Sequence, residues 1–560
     1  MIFKKLIKLA KSNGFLTGAA ILALAGLICR LIGVFFRVPL ANIVGNFGMG
    51  LYQMVFPLYS LLLIVSSAGV PVAVSKMVAA ARAGDKEQGA SSKECKKILL
   101  NAIVLLGAIG LVVSAIFIIF AYPIANLQGN KDVGIIYIAI APSVFLVCMI
   151  AAFRGYFQGL QNMVPTAASQ IIEQLVKVAA GITLALIFIK ISIVWAVFGA
   201  ILAVTISEVV ALLFLVFVYL FKRKKNSPFS KGGDKQRSER KTKMGFLKRG
   251  LSWKLMYQIL KQSFPVTLMA SIFPLILVFD SMIIINMLTS AGADHETATQ
   301  LFGISSGAVH TLINLPAVLG VAVATAVVPT VSALLKQNKI GELRSKMAMA
   351  VKITFLISLF FVVFYLAFAE KIIDLLYHGA FKDNPEQLKL AGNLMKIEAA
   401  LILLMGISAV FTAMLQGADR AKFPLIALAL GGTAKIGFEL AFIKTSLGIY
   451  AVSIGNVLCF AIAAVLTTAF ALHFVKIRKG FMKILLKAVY LTITFGAFVL
   501  VIARSMPENR WWVLLSGTII LIIYVILVAI FKFFVFNNIS VGNTNSNKRK
   551  GEKNEKSRIH

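Results

Sequence analysis

The sequence predicts an all-α integral membrane protein of about 14 transmembrane helices, arranged as two parallel-repeat six-helix lobes plus two C-terminal helices. Hydrophobic residues make up 59% of its 560 residues and charged residues only 14%. Apolar runs of about 20 residues, enough to cross about 30 Å of hydrocarbon, recur along the chain. In addition, segments of the first half recur in the second half, and basic residues concentrate in alternate loops.

Hydropathy places the predicted spans at regular intervals. In order they cover about 14–38, 51–73, 98–122, 134–156, 166–189, 193–221, 263–288, 308–334, 350–369, 391–414, 424–443, 448–473, 482–504 and 511–536.

The net charge of +35 comes from basic loops and tails between these spans. The stretch 222–256 and the tail 538–560 are densely basic, whereas the alternate loop "ANIVGNFGMG" has no basic residue. The positive-inside rule therefore predicts that both termini are cytoplasmic. Such loops attract anionic inner-leaflet lipids, and nucleic-acid binding is not expected because no soluble domain carries a basic patch.

An internal repeat relates the two halves at an offset of 258 residues. "FRGYFQG" at 153–159 aligns with "FTAMLQG" at 411–417, and Lys177 aligns with Lys435. Chance similarity between apolar segments is the alternative. The offset of six spans keeps the orientation, so the repeat predicts parallel lobes with a substrate site at their interface.

The predicted domain organisation follows from the spans and the repeat. It comprises an N-terminal lobe, a basic cytoplasmic linker, a C-terminal lobe, two additional transmembrane helices and a basic tail, at 1–221, 222–256, 257–478, 479–537 and 538–560.

Two arginines interrupt the first span, in "LICRLIGVFFRVPL" at 27–40. A charged side chain in a bilayer is costly, so such residues usually face a protein interior or a water-filled cavity. Arg30 and Arg37 are seven residues apart and share a helix face. We expect Arg30 to face a cavity, whereas Arg37 either does the same or extends to the outer headgroups.

Two further acid–lysine pairs lie one helical turn apart. Glu173 and Lys177 have the order favourable for a local ion pair, whereas Lys435 precedes Glu439. Each pair either neutralises itself or contributes to the site. The repeat predicts that Lys177 and Lys435 approach the same central space.

Other acidic residues in the predicted spans are candidates for coupling or gating. Glu208 and Asp280 join Glu173 and Glu439 in this group, since buried carboxylates can bind Na⁺ or protons. The offset of 250 between Arg30 and Asp280 is close to the repeat spacing, so an Arg30–Asp280 contact could form a gate.

Enzymatic chemistry is not predicted. The chain has no phosphate-binding loop of the type G-x-x-x-x-G-K-[ST], and its five histidines are scattered. We therefore expect a transporter with no cofactor and no metal site, with Na⁺ or H⁺ as candidate coupling ions.

The chain resembles the stage V sporulation protein B and lipid II flippase group of the multidrug/oligosaccharidyl-lipid/polysaccharide exporter superfamily. The resemblance rests on "RLIGVFFRVPLANIVGNFGMGLYQMVFPLYSLLLIVSSAGVPVAVSKMV" at 30–78 and "FRGYFQGLQNMVPTAASQIIEQLVKV" at 153–178. It implies a V-shaped pair of lobes in a bacterial cell membrane. It also implies movement of undecaprenyl-pyrophosphate-linked saccharides from the inner to the outer leaflet.

In lipid II flippases, arginines of the first span hold the pyrophosphate, and Arg30 and Arg37 match them, the second with a shift of one residue. The second span departs from the Gram-negative flippases because "FPLYSLLLIVSSAGVP" lacks their further arginine. The resemblance leaves open whether the cargo is a peptidoglycan precursor, for a spore cortex or otherwise, or another polysaccharide intermediate.

The leading hypothesis is that Arg30, Arg37, Lys177 and Lys435 bind the pyrophosphate in a central cavity, because guanidinium and ammonium groups bind phosphate oxygens strongly where water is scarce. An ion-coupled efflux pump for organic cations is the alternative, and it would use the intramembrane acids. A third hypothesis is a membrane scaffold for wall-synthesis enzymes, which are also candidate partners of a flippase.

Overall fold

The computed structural model describes residues 14–67, 69–83, 88–225, 251–475, 495–496, 498–499, 501–503 and 511–536, and they form an all-helical membrane protein. Fifteen α-helices and one π-helix, Gly303–Val309, are described. The α-helices are α1 Gly14–Ser67, α2 Val70–Ala83, α3 Gln88–Ile119, α4 Ala121–Leu127, α5 Val133–Gly159, α6 Val164–Phe188, α7 Ile193–Lys225, α8 Trp253–Ser290, α9 His295–Phe302, α10 His310–Lys336, α11 Ile340–Phe381, α12 Pro385–Gly417, α13 Lys422–Phe442, α14 Tyr450–Val475 and α15 Trp512–Phe536.

Eleven helices in the described part of the chain are long and apolar enough to cross a membrane, in addition to the shorter apolar helix Leu515–Ile526. One of the eleven, Leu24–Ala83, combines two predicted spans. The count of about 14 stays a prediction, because most of the predicted span 482–504 lies outside the described residues.

The first two predicted spans meet at a kink in α1. Gly45 has φ 67° and ψ −173°, which is not helical and is accessible because glycine has no Cβ. Most other helices extend beyond their predicted spans; α3, for example, begins ten residues earlier, in the polar stretch before residue 98. Hydropathy detects the apolar window and not the polar turns that continue the helix.

The structure also refines the predicted linker 222–256. α7 continues to Lys225 and α8 begins at Trp253, so both ends of that stretch are helical. Residues 226–250 lie outside the described residues, as do the basic tail 538–560 and the lysines before residue 14. The domain boundaries therefore stay a prediction.

Three apolar cores show how the two halves are joined. One core combines residues of both halves, such as Tyr52 and Tyr137 with Ile284 and Tyr377, and we call this end of the molecule the closed end. At the other end each half has its own core, and we call it the divided end. The first-half core includes Val74, Phe153 and Leu215, and the second-half core includes Val331, Phe355 and Phe411.

Phe153 and Phe411, which the repeat makes equivalent, thus lie in corresponding cores of the divided end. The first turns of α8 belong with the first half, because Ile259 packs into the first-half core. The molecule is therefore a pair of helical bundles that share a core at one end and separate at the other.

Candidate anion site between the two halves

Arg37 lies at the contact between the two halves. It is half-buried, and its Nη1 donates a hydrogen bond of 3.2 Å to Oγ1 of Thr311 in α10. Its guanidinium carbon lies 5.3 Å from the centre of the Phe56 ring, within cation–π range. Thr311 is buried in the second half and Phe56 is half-buried on α1, so in this structure the Arg37 guanidinium contacts both halves.

Lys177 of α6 approaches the same phenyl ring. Its Nζ lies 5.6 Å from the centre of Phe56 and 5.9 Å from the centre of Phe36. Two cations from different helices, Arg37 and Lys177, are therefore gathered around Phe56. Arg30, seven residues before Arg37 on the same face of α1, is exposed.

These three cations have no carboxylate within ion-pair distance among the residues that the structure describes. The alternative of a local Glu173–Lys177 pair is not realised. Glu173 instead pairs with Arg154 of α5, whose Nη2 lies 2.8 Å from Oε2. Arg37 and Lys177 thus form a pair of positive charges around Phe56, with Arg30 two turns earlier on α1, and no described carboxylate neutralises any of the three.

Arg154 was not identified from the sequence. Its Nε donates a 3.0 Å hydrogen bond to Ser169, which fixes the guanidinium against α6. The repeat could have identified Arg154, because the equivalent residue in the second half is the neutral Thr412. The arginine is present in the first repeat and not in the second, so its charge needs a partner within the first half. Glu173 is that partner.

Lys435 has a different environment from Lys177. It is only 3% exposed, and its ammonium contacts Oδ2 of Asp280 in α8 and lies 3.6 Å from Oε1 of Glu439. The predicted equivalence of the two lysines therefore does not extend to their surroundings. In this conformation Lys435 is neutralised and enclosed, so it offers no free charge to an anionic headgroup.

The Arg30–Asp280 gate contact is not formed. Asp280 pairs with Lys435, and no ion pair joins it to Arg30 in the part of the chain that is described. Residues at similar positions in two repeats need not face each other, so an offset near the repeat spacing does not imply a contact.

Two other buried acids are held by hydrogen bonds. Oε1 of Glu208 accepts a 2.5 Å bond from the hydroxyl of Tyr59, while its Oε2 has no partner among the described residues. Glu398, not among the predicted site residues, accepts bonds from Ser453 at 2.9 Å and Asn456 at 3.0 Å, and lies 3.4 Å from Nδ1 of His310. Glu208 and its partner lie within the first half, and Glu398 and its partners lie within the second half.

Polar side chains of α1 fasten the closed end. Nδ2 of Asn42 donates to the carbonyl of Leu376 at 2.8 Å, and its Oδ1 accepts from the backbone N–H of Gly379 at 2.8 Å. Asn46 donates to Oε1 of Gln387 at 2.9 Å. Four residues after Asn46, Gly50 packs directly against Thr299 of α9.

Gln53 continues this row and donates to the carbonyl of Ser306 at 2.6 Å. We call Asn42, Asn46 and Gln53, with the groups they contact, the amide seam. Sequence reasoning missed it, because neutral amides in an apolar stretch resemble ordinary polar substitutions.

A surface cavity of about 800 Å³ opens beside the closed end. Its lining includes Phe47, Asn130, Lys131 and Glu296. Next to it, Asp294 caps α9, and hydrogen bonds from the side chain and backbone N–H of Thr297 lower the pKa of this carboxyl below its ordinary value. The cap therefore contributes stability above the unfolded pKa and loses it as the pH falls through the lower folded pKa.

The described residues contain no group of three or more His, Cys, Asp or Glu that could hold a metal ion. The guanidinium of Arg37 and the ammonium of Lys177 offer the chemistry to bind an anion.

Comparison with known proteins places this geometry in a family. The sequence model of the family described as "Polysaccharide biosynthesis protein" matches residues 15–335, and that of "MatE" matches 274–439. Stage V sporulation protein B of Bacillus subtilis (strain 168) is 30% identical over 439 residues, which are 78% of this chain and 79% of that protein. Lipid II flippase MurJ of the same strain is 24% identical over 504 residues, 87% of each chain.

Solved structures give the same fold. A structure of lipid II flippase MurJ in an inward closed conformation has a TM-score of 0.67 at 16% identity, and it covers 92% of this chain and 99% of that one. An inward-facing multidrug resistance MATE family transporter has a TM-score of 0.62 at 17% identity, covering 81% and 99%. The family model covers more than half of the chain, and a relative is 30% identical over 78% of it. The chain therefore belongs to the polysaccharide biosynthesis protein family of the multidrug/oligosaccharidyl-lipid/polysaccharide exporter superfamily and is a multi-pass membrane transporter.

Proposed function

We propose that this protein is an alternating-access flippase that moves an undecaprenyl-pyrophosphate-linked saccharide from the inner to the outer leaflet of a bacterial cell membrane. The observation that carries the proposal is the group of cations without carboxylate partners, Arg30, Arg37 and Lys177. Relatives named as a sporulation protein and a lipid II flippase support a lipid-linked cargo.

The pyrophosphate would meet Arg37 and Lys177 around Phe56, with Arg30 on the approach. A half-buried cation that has only an aromatic ring and a hydroxyl for partners retains its hydrogen-bonding capacity for an incoming anion. Arg37 also contacts α10 through Thr311, so a bound headgroup would touch both halves. Lys435 is left out of this set, because Asp280 already neutralises it.

The side from which the headgroup enters depends on which end of the molecule faces the cytoplasm. If the termini are cytoplasmic, the divided end faces the cytoplasm and the closed end faces outward. The headgroup would enter between the halves at the divided end while the polyprenyl chain stays in lipid. Opening of the amide seam would then release it on the outer side.

The basic loops would hold the divided end against anionic inner-leaflet lipids, where the cargo is made. Enzymes of wall synthesis are natural partners, since they supply the lipid-linked substrate and consume it outside.

Native mass spectrometry of the purified protein tests the proposal. The protein is offered lipid II, undecaprenyl pyrophosphate and an organic cation in turn. We expect selective retention of the pyrophosphate lipids, with retention weakened at least about tenfold in Arg37→Ala/Lys177→Ala, because each lost charged hydrogen bond is worth roughly 1.5–3 kcal/mol.

Lys396→Ala is the matched control, because this lysine is exposed on α12 and lies outside the proposed site. Equal loss in the control would show that overall charge, rather than the site, retains the lipids.

Efflux of organic cations is the second candidate, favoured by the match to the MatE family and by the buried acids Glu208 and Asp280. Both acids, however, have partners within one half, and the charges at the contact between the halves are positive. Retention of the organic cation in place of the lipids would reverse this choice.

A further inference from the structure

The second half contains a buried cluster with two acids and one base. Asp280 of α8 and Glu439 of α13 lie on either side of the Lys435 ammonium, which contacts Asp280 directly and is 3.6 Å from Oε1 of Glu439. If both acids were ionised, the cluster would carry one unbalanced negative charge.

Glu439 is poorly equipped to hold that charge. It is 0% exposed, and neither of its carboxyl oxygens has a hydrogen-bond donor among the described residues. α14 closes over it at Gly455, where an added Cβ would lie 3.2 Å from Oε1. The other ionisable side chain nearby on α14 is the thiol of Cys459, which cannot supply a positive charge.

A bound metal cation is a poor solution for the surplus charge. Na⁺ would need several oxygen ligands in the space where the Lys435 ammonium lies, and the two positive charges would repel. A proton on Glu439 needs neither extra ligands nor extra space, and it removes the cost of an unsolvated buried carboxylate.

We propose that Glu439 is a proton-binding site and that the fixed ammonium of Lys435 makes the cluster selective for H⁺ over Na⁺. Binding is a simple protonation, in which the carboxylate and a proton from water form the neutral acid.

The protonation state of Glu439 would decide which of the two acids pairs with Lys435. With Glu439 protonated, Lys435 pairs with Asp280 and joins α13 to α8. When Glu439 releases its proton, the ammonium is drawn toward the acid on its own helix, one turn away, and the link to α8 weakens.

α8 carries this change to the other half of the molecule. Ser281, next to Asp280, accepts a 2.9 Å hydrogen bond from Gln128 of the first half. The role of the proton in driving transport rests on the proposed function, whereas proton binding itself does not.

Infrared difference spectroscopy between buffers of different pH tests the inference on the full-length protein in lipid vesicles. We expect the wild-type difference spectrum to contain a carbonyl-stretch component of a protonated carboxyl group that disappears at high pH and is missing from the Glu439→Gln spectrum, whatever component Glu208 contributes. It should persist in Glu208→Gln, the matched buried acid of the first half, and in Glu386→Gln, near the start of α12. Adding Na⁺ at constant ionic strength should leave the band unchanged.

Glu439→Gln has the size and neutrality of the protonated acid, so it should fold, and Glu439→Asp offers a second variant in which the band should shift. A Glu439→Gln spectrum that retains every carbonyl component of the wild type, or loss of the Glu439 component on addition of Na⁺ to the wild type, would overturn the inference. The measurement needs no cargo, so its failure leaves the flippase proposal standing, and failure of lipid retention leaves the proton site standing.

Discussion

Phe56 is the residue at which two positive charges of the proposed site meet. Its ring faces both Arg37 and Lys177, and the negative π face of the ring offsets part of their mutual repulsion. A carboxylate in the same place would neutralise the cations and remove their use for an anion. The phenyl ring stabilises them without occupying any hydrogen-bond donor, so only the Arg37 Nη1 that bonds to Thr311 is already engaged within the described part of the chain.

Phe56→Leu should therefore destabilise the empty protein by about 1 kcal/mol more than the loss of the ring's apolar contacts alone, because cation–π contacts contribute about 0.5–2 kcal/mol each. Thermal unfolding in detergent measures the effect. Phe273→Leu is the control, since this half-buried ring packs against Phe460. Equal destabilisation of the two variants would indicate that the ring acts through packing alone.

At the scale of elements, α1 combines the two tasks that the proposed function requires, binding of the headgroup and closure of the closed end. Its first part carries Arg30 and Arg37, and beyond them the amide seam begins at Asn42 and passes the kink at Gly45. A headgroup that pulls on Arg37 therefore acts on the same helix that fastens the closed end. In the proposed mechanism, α1 would therefore link binding at Arg37 to opening of the closed end.

Asn46→Ala should shift the protein toward an outward-open state. The variant loses the bond to Gln387 and a longer one to the Ala380 carbonyl, together worth about 1–2 kcal/mol, or roughly 5- to 30-fold in the ratio of states. Ser305→Cys, buried at the closed end, reports opening through its reaction with a membrane-impermeant thiol reagent, after the four native cysteines are replaced.

Asn314→Ala is the matched control for this shift, because the amide of Asn314 bonds to the His310 carbonyl within its own helix. Labelling that rises equally in both variants would show general loosening instead of a weakened seam.

Much of this architecture could be predicted from the sequence, for a physical reason. Membrane-spanning helices bury apolar side chains over a fixed thickness, so hydropathy locates them, and intramembrane charges such as Arg37 and Lys177 stand out. Pairing was less predictable. Lys435 and Asp280 are 155 positions apart, and Glu173 pairs with Arg154 although Lys177 is nearer in sequence. Such choices depend on how the helices pack.

For the whole molecule, the proposed mechanism requires the closed end, with its shared core and amide seam, to separate during transport. Gly379 lies so close to Asn42 that a Cβ added there would be 3.2 Å from the Asn42 Cβ. This is near the Cβ separation of a disulfide, about 3.5–4.5 Å. The two positions belong to opposite halves.

Asn42→Cys/Gly379→Cys should form a disulfide that locks the closed end. We expect lipid translocation in vesicles to stop on oxidation and to recover on reduction, while retention of pyrophosphate lipid through the divided end continues. Each single cysteine variant serves as a control. Continued translocation in the oxidised double variant would mean that the closed end is not the exit.

The amide seam also has a consequence for biosynthesis. Asn46 and Gln387 are 341 positions apart, so at about 5–20 residues per second the ribosome needs roughly 20–70 s between making one and the other. Throughout that interval the amides of α1 lack their final partners, in a solvent that offers few others. The first half is therefore incompletely folded in the membrane until residue 387 has been synthesised. During this interval the chain is most accessible to quality-control proteases.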